Sequence, residues 1–218
     1  MVETQLRRRG IADERILAAM GSLPRERFLH PHDRAAAYMD AAAPIAEGQT
    51  ISQPYIVARM TELLRVAAGD RLLEIGTGSG YQAAVLAGLW ASVVSIERFA
   101  ALADAARDRL AALGVRGVDI RVGDGSLGDP AGAPWDGIIV TAAAPSVPGP
   151  LREQLAIDGR LVIPVGTRRR QELLVIERRS PSDWFETSDG AVVFVPLVGR
   201  EGFDERVEAT DRPAGGEA

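Results

Sequence analysis

The 218-residue chain is 46% hydrophobic and 25% charged, which suits one packed α/β domain with a modest appendage and argues against a disordered chain. It has no cysteine, no lysine among its 25 basic residues and only two histidines, so thiolate chemistry, cysteine metal clusters, Schiff bases and a P-loop lysine are excluded, and a Ser-His-Asp triad has little to draw on. A net charge of −5 argues mildly against a nucleic-acid surface, and no apolar run approaches the ~20 residues of a membrane span.

The opening MVETQLRRRGIADE has no apolar core of the secretory-signal kind, so the expectation is a cytoplasmic protein with neither nucleic acid nor membrane as partner. Asp13 is placed to cap a short helix with Ile16, Leu17 and Met20 on one side and Gly21 as its stop. Arg7, Arg8 and Arg9 read as a solvated face, and His30 and His32, with no further histidine or cysteine nearby, as surface histidines. Residues 1–48 are too few for their own core and read as a helical extension packed on the rest.

From residue 53 onward helices and strands alternate. The pattern predicts a helix over Pro54–Leu64, a buried strand over Arg71–Ile75, a glycine turn over Gly76–Gly80 and a helix bearing Ala83, Ala84, Leu86 and Ala87. A Val/Ile-rich strand follows at Ser92–Glu97, then an alanine-rich helix over Phe99–Leu113 closed by Gly114. Strands are expected at Val118–Val122, Asp136–Thr141 and Leu161–Val165, with a short helix at Leu151–Ala156. Gln171–Glu177 and Ala191–Val198 read as a terminal antiparallel pair. The alternation implies an α/β fold built on a doubly wound, mostly parallel seven-stranded sheet that binds ligands at the strand carboxyl ends. Residues 49–199 form the main domain in this reading, and 200–218 a flexible tail.

Glu74-Ile75-Gly76-Thr77-Gly78-Ser79-Gly80-Tyr81 passes from strand through glycine turn to helix. Glycines there let a ligand approach the main chain, and the helix N-terminus offers free amides to an anionic group. The dinucleotide fingerprint would place glycine or alanine at Tyr81, so a nicotinamide site is disfavoured. Glu97 ends the next strand, where an acid can accept both ribose hydroxyls; a surface strand-end acid fits the same position. Asp124, in Gly123-Asp124-Gly125, follows the third strand, where it can accept from an adenine amino group or serve an ordinary Asp-Gly turn. Coming in order at successive strand ends, the three features favour a nucleoside-binding edge.

The form E-x-G-x-G-x-G resembles motif I of S-adenosylmethionine-dependent methyltransferases. Gly48-Gln49-Thr50-Ile51-Ser52-Gln53-Pro54 is more specific. Together with Leu73–Ala87, Gly123–Gly125, Ile138–Pro145, Pro24–Phe28, Leu161–Gly166 and Phe194–Leu197, it resembles the protein-L-isoaspartate O-methyltransferase family from about residue 11 to 199. The resemblance implies a Rossmann-like methyltransferase fold, S-adenosyl-L-methionine as cofactor and isoaspartyl-containing proteins and peptides as partners, with the enzyme a monomer. Its reaction is methyl transfer to the free α-carboxyl of L-isoaspartyl residues, after which the ester collapses to a succinimide that reopens partly to aspartate. By resemblance Ser52 is the active-site serine, orienting the acceptor carboxylate and not attacking covalently. A helix N-cap is the competing reading of Ser52. The implied cofactor set is Gln49, Thr50, Ile51, Ser52, Glu74, Gly76, Gly78, Ser79, Gly80, Glu97, Arg98, Asp124 and Gly125, with Thr141 at the border.

The sequence departs from the family at Ala46-Glu47, where a glycine is usual at the first position and an aromatic, glutamine or histidine at the second. That departure suits one alternative, a related carboxyl methyltransferase acting on a dedicated peptide aspartate. A second, from a different class, is a non-catalytic nucleoside-binding module, against which the intact Ser52 and GQTISQP segment speak.

Overall fold

The computed structural model describes residues 1–205. Its helices are α1 (Glu14–Ser22), α2 (Pro54–Leu64), α3 (Tyr81–Gly88), α4 (Ala100–Ala112) and α5 (Gly149–Glu153). Its strands are β1 (Ala43–Pro44), β2 (Thr50–Ile51), β3 (Arg71–Ile75), β4 (Ser92–Glu97), β5 (Val118–Val122), β6 (Trp135–Val140), β7 (Leu155–Gly166), β8 (Gln171–Ser180) and β9 (Asp183–Val192). The seven from β3 onward form one sheet of order β5-β4-β3-β6-β7-β8-β9, parallel through β7 and antiparallel at β7–β8 and β8–β9. β1 and β2 form a separate antiparallel pair, Ala43 opposite Ile51.

β3 is central and covered on both faces, which accounts for its nearly continuous apolar run. Alternate strand residues join two apolar clusters. Leu72, Val93, Ile139 and Val162 pack with residues of α1, α2, α3 and α4, whereas Leu73, Ile138, Val140 and Leu161 pack with Leu151, Leu155 and Trp135. The N-terminal segment belongs to the first cluster through Leu6, Ile11, Ile16, Met20 and Phe28. Phe28 meets the Tyr81 ring edge-on at 5.1 Å between centroids, joining that segment to the first turn of α3.

Several boundaries differ from the sequence expectation. Asp13 caps α1 through Arg15 N at 2.9 Å, but the helix runs past Gly21 and ends at Ser22, before Leu23-Pro24. The short helix before β7 spans Gly149–Glu153, because Leu155 already pairs with Trp135. The last strand is Asp183–Val192, not Ala191–Val198. It is an edge strand with mostly exposed side chains, so it lacks the apolar signature that Val193–Val198 carries. That apolar run instead crosses the carboxyl end of the sheet, where Ala143 N donates to Val195 O at 2.8 Å and Leu197 N to Ala143 O at 2.7 Å. Residues 200–205, expected as the start of the tail, are anchored: Arg200 N donates to Asp124 Oδ2 at 2.8 Å and Glu201 N to Ser126 Oγ at 3.0 Å. The rest of the expected tail, 206–218, lies outside the described residues.

Because Phe28 and the sheet share one cluster, the N-terminal segment and the sheet should unfold together. Phe28→Ala should cost about 3–5 kcal/mol. Urea titrations followed by far-UV circular dichroism and by fluorescence of buried Trp135 should then shift by the same amount and stay coincident. Separated transitions would show that the segment folds on its own.

Candidate active site

The chain leaves β3 toward β4 and leaves β6 toward β7 on the opposite side, so the carboxyl ends of these neighbouring strands open a crevice. The crevice depends on Gly76. Its φ is 94°, a conformation suited to glycine, and a Cβ there would stand 2.5 Å from Thr141 Oγ1. That hydroxyl donates to Gly76 O at 2.6 Å and approaches Ile75 O at 3.1 Å, fixing the two strand ends together. Counted to its open mouth, the cleft encloses about 540 Å³. Gln49 and Thr50 line one part of it, Gly76 and Gly78 line it from the glycine turn, and Thr141 from just past the end of β6. Glu97, Arg98 and Gly125 come from the strand ends after β4 and β5. Among the described residues, Phe99 and Val195–Val198 also line the cleft. Nothing in the sequence marks Phe99 as a site residue, and Val195–Val198, expected within the last strand, form this wall instead.

Glu97 is 5% exposed, and both its oxygens are oriented by backbone amides: Oε2 accepts from Gly78 N at 2.8 Å and Oε1 from Phe99 N at 3.0 Å. Each oxygen keeps a lone pair for a further donor, so the carboxylate is fixed and still able to accept from a diol. Arg98, beside it, pairs with Glu205 at 2.6 Å.

A narrower recess adjoins the cleft, lined by Thr50, Ile51, Ser52, Gly76, Gly78 and Ser79. An outer hollow, bounded by Ala42, Gln53 and Val192–Phe194, reaches Thr50 and Ser52 from the other side. Ser52 therefore stands between the glycine turn and the open surface. It is not a helix cap: Gln53 holds the N-cap position of α2, without a side-chain bond, and Pro54 occupies the first turn. The Ser52 hydroxyl has no hydrogen-bond partner among the described residues. Its carbonyl, in contrast, is held by Arg25 Nη2 at 2.6 Å.

Ile51, Ser52 and Ser79 line the recess and not the main cleft, and three expected cofactor residues line neither. Glu74 lies fully buried beneath the glycine turn, where its Oε2 accepts from Ser95 Oγ; Ser95 Oγ lies 2.6 Å from Thr77 Oγ1. Gly80 lies behind the turn, with φ 85°, as the N-cap of α3. Asp124 is engaged by the protein itself, accepting from Ser126 N at 3.0 Å, Ser126 Oγ at 2.7 Å and Arg200 N. Burial alone would raise the Asp124 carboxyl, but these donors and the Arg98 charge outweigh it and hold the group below the usual carboxylate range. Glu47 is exposed, with φ 57°, and lines none of these cavities. His30 and His32 are exposed with rings 3.7 Å apart, and they too stay outside these cavities.

The model of the family "Protein-L-isoaspartate(D-aspartate) O-methyltransferase" matches residues 1–202. A protein-L-isoaspartate O-methyltransferase of Methanoculleus marisnigri is 54% identical over 208 residues, covering 95% of this chain and 94% of the relative. A solved protein-L-isoaspartate O-methyltransferase superposes with a TM-score of 0.82 at 30% identity, covering 93% of this chain and 67% of that one. A putative one from Plasmodium falciparum, in complex with S-adenosyl-L-homocysteine, gives 0.78 at 25% identity, covering 90% and 96%.

Burial raises the Glu74 carboxyl to about 8; the Ser95 hydroxyl opposes the shift and the neighbouring Glu97 charge adds to it. The folded protein keeps this proton through a range in which the unfolded chain, at its ordinary 4.5, has lost it. Stability contributed by this group therefore falls as pH rises from about 4.5 to about 8 and is level above, by at most about 1.4 kcal/mol per pH unit. Glu74→Gln, a neutral isostere, should gain on the wild type across that window. Urea midpoints at pH 5, 6, 7 and 8 check this, and parallel profiles would show that Glu74 is ionised in the folded state.

Proposed function

The chain belongs to the protein-L-isoaspartate(D-aspartate) O-methyltransferase family, and on that premise we propose how its cleft carries out the family's reaction. It is an S-adenosylmethionine-dependent protein carboxyl methyltransferase whose acceptors are isoaspartyl-containing proteins. The carrying observation is the uncommitted Ser52 hydroxyl, set between the glycine turn and the outer hollow.

The residues present fit the cofactor. Gly76 leaves space that a Cβ would fill, and the preset Glu97 carboxylate suits a ribose diol. In this reading Glu97 accepts from the ribose, with Arg98 and Gly125 flanking the nucleoside. Gly76, Gly78 and Ser79 face the methionine portion, and Gln49, Thr50 and Ile51 close the opposite wall. Glu74, Gly80 and Asp124 act by supporting the turn and the covering segment, not by contact. When bound, S-adenosylmethionine supplies a sulfonium methyl with a neutral leaving group. The acceptor α-carboxyl has an intrinsic pKa near ~3.5 and is already anionic at neutral pH, so no side chain needs to remove a proton. The task left to the protein is alignment, with Ser52 donating a hydrogen bond that orients the acceptor carboxylate. Every residue in the scheme comes from one chain, so a monomer suffices. No helix among the described residues is long and apolar enough to cross a membrane, and a cytoplasmic enzyme is part of the same proposal.

Ser52→Ala removes no cap and no internal hydrogen bond, so its stability should stay within about 0.5 kcal/mol of wild type. Methyl transfer to an isoaspartyl peptide should fall by about 10²-fold or more. S-adenosylhomocysteine affinity, read by calorimetry, should be unchanged. A matched aspartyl peptide should remain unlabelled by the wild type; equal labelling of both peptides would count against isoaspartyl selectivity. Near-normal turnover in folded Ser52→Ala would remove Ser52 from the mechanism.

A further inference from the structure

Pro24-Arg25-Glu26-Arg27-Phe28 matched the family as a sequence but received no role. Arg25 is the anomaly within it. At 1% exposure it ranks among the largest fully buried side chains, yet it makes no ion pair among the described residues. Its hydrogen bonds go to two carbonyls, from Nε to Ala37 O at 2.8 Å and from Nη2 to Ser52 O at 2.6 Å. Nη1 completes no hydrogen bond, and its buried polar neighbour is the neutral Tyr81, which interacts with the guanidinium through its hydroxyl, itself in no complete hydrogen bond, and whose ring centroid lies 4.7 Å away. Burial lowers the Arg25 pKa, but a guanidinium in a protein stays protonated.

A buried cation neutralised by no carboxylate is costly, and such charges are ordinarily paired. Carbonyl dipoles and an aromatic face offset only part of that cost. The guanidinium grips the backbone of Ser52, the residue whose hydroxyl is free, so its positive potential falls on the recess and outer hollow beside Ser52. An arriving carboxylate would bring the missing negative charge.

We propose that Arg25 is the electrostatic positioning residue for the acceptor: its unpaired buried charge selects an α-carboxylate over a neutral group at Ser52, while its hold on the Ser52 carbonyl sets the angle of that serine. This rests on the assignment of the acceptor to the Ser52 recess. Ser52 supplies the directional hydrogen bond, and Arg25 supplies the sign of the charge from behind it, without needing to touch the substrate. Within the low-dielectric wall that attraction is screened less than it would be at the surface.

The test compares an isoaspartyl peptide with the same peptide bearing an α-carboxamide, each binding to the S-adenosylhomocysteine complex. Wild type should prefer the acid by about tenfold or more. In Arg25→Met the preference should fall below about twofold, with S-adenosylhomocysteine affinity unchanged within about twofold. Arg25→Lys keeps the charge but loses the fork, so it should keep most of the preference while kcat drops. A packing role alone would weaken acid and amide equally and leave their ratio intact. A folded Arg25→Met that keeps the wild-type ratio overturns the proposal. If Arg25→Met does not fold, the wild type supplies the readout: the Arg25 Nε–H resonance should shift on adding the acid peptide but not the amide, and equal shifts overturn the proposal. A wild type that methylates the acid peptide yet binds acid and amide alike also overturns it, whereas a wild type that methylates neither isoaspartyl nor aspartyl peptide overturns the functional reading beneath it.

Discussion

The site depends on two backbones meeting at the carboxyl ends of β3 and β6. Thr141 Oγ1 bonds Gly76 O at 2.6 Å, and Gly76 at φ 94° is the only kind of residue that leaves room for it. Both sides of the cleft hang from that contact. On one side the glycine turn is held from below by Thr77, Ser95 and Glu74 and from the side by Glu97, which takes Gly78 N. On the other, the loop after Thr141 pairs with Val195–Leu197 and brings the covering segment over the opening. Asp124 secures the end of that cover through Arg200 N, and Gly199 allows the approach, since a Cβ there would come within 2.1 Å of Asp124 Oδ1. Carboxyl groups thus hold the frame of the site at three points, Glu74, Glu97 and Asp124, and of these only Glu97 also lines the cleft.

The absence of lysine takes on a structural meaning in this frame. Many of the arginines grip backbone carbonyls across elements. Arg71 bonds Gly132 O and Pro134 O, Arg107 bonds Ile120 O, and Arg178 bonds Leu155 O and Glu153 O. Arg109 joins Arg27 O to Ser79 O, tying the N-terminal segment to the glycine turn. Arg25 joins Ala37 O to Ser52 O in the same manner. A planar guanidinium presents several donors at fixed angles and can bridge two carbonyls, where an ammonium acts as a compact point charge. The N-terminal segment consequently reaches both Ser52 and Ser79 without lining the cleft itself.

How much of this was legible in the sequence follows from what each residue faces. β3 and β4 appear where the apolar runs place them, since parallel strands between helices are largely apolar. β5, an edge strand, was legible from the alternation of Val118, Ile120 and Val122 with Asp119 and Arg121. β9 was missed because an exposed edge strand carries no such run, while the apolar segment after it serves as a cover. Glycine spacing located the turn correctly, but it could not say which way the acids nearby point. Glu97 ends its strand and faces the cleft, while Glu74, one strand over and two residues before the turn, faces inward. For Asp124 the sequence offered a turn carboxylate and a base contact at the same position, and the structure shows the turn bonds, to Ser126 and Arg200. Arg25 had no signal beyond its place in the family-like Pro24–Phe28 run: an unpaired buried charge exists only once the chain has folded around it.

The chemistry explains why so sparse a set of reactive side chains is enough. An ionised acceptor and an activated donor need neither base nor nucleophile, so the protein has two remaining tasks, exclusion of wrong acceptors and alignment of the right one. A hydroxyl alone performs the second better than the first, since it can donate to a carboxylate and to a neutral carbonyl alike. Discrimination between them requires net charge, and a charge exposed in the cleft would be screened by water and drawn toward Glu97. Burying the cation behind the serine backbone avoids both outcomes: on the proposed assignment it keeps the field in the recess and keeps the guanidinium out of contact with Glu97. In the proposed scheme the uncompensated Arg25 and the uncommitted Ser52 hydroxyl are therefore complementary, one setting what is admitted and the other how it is held.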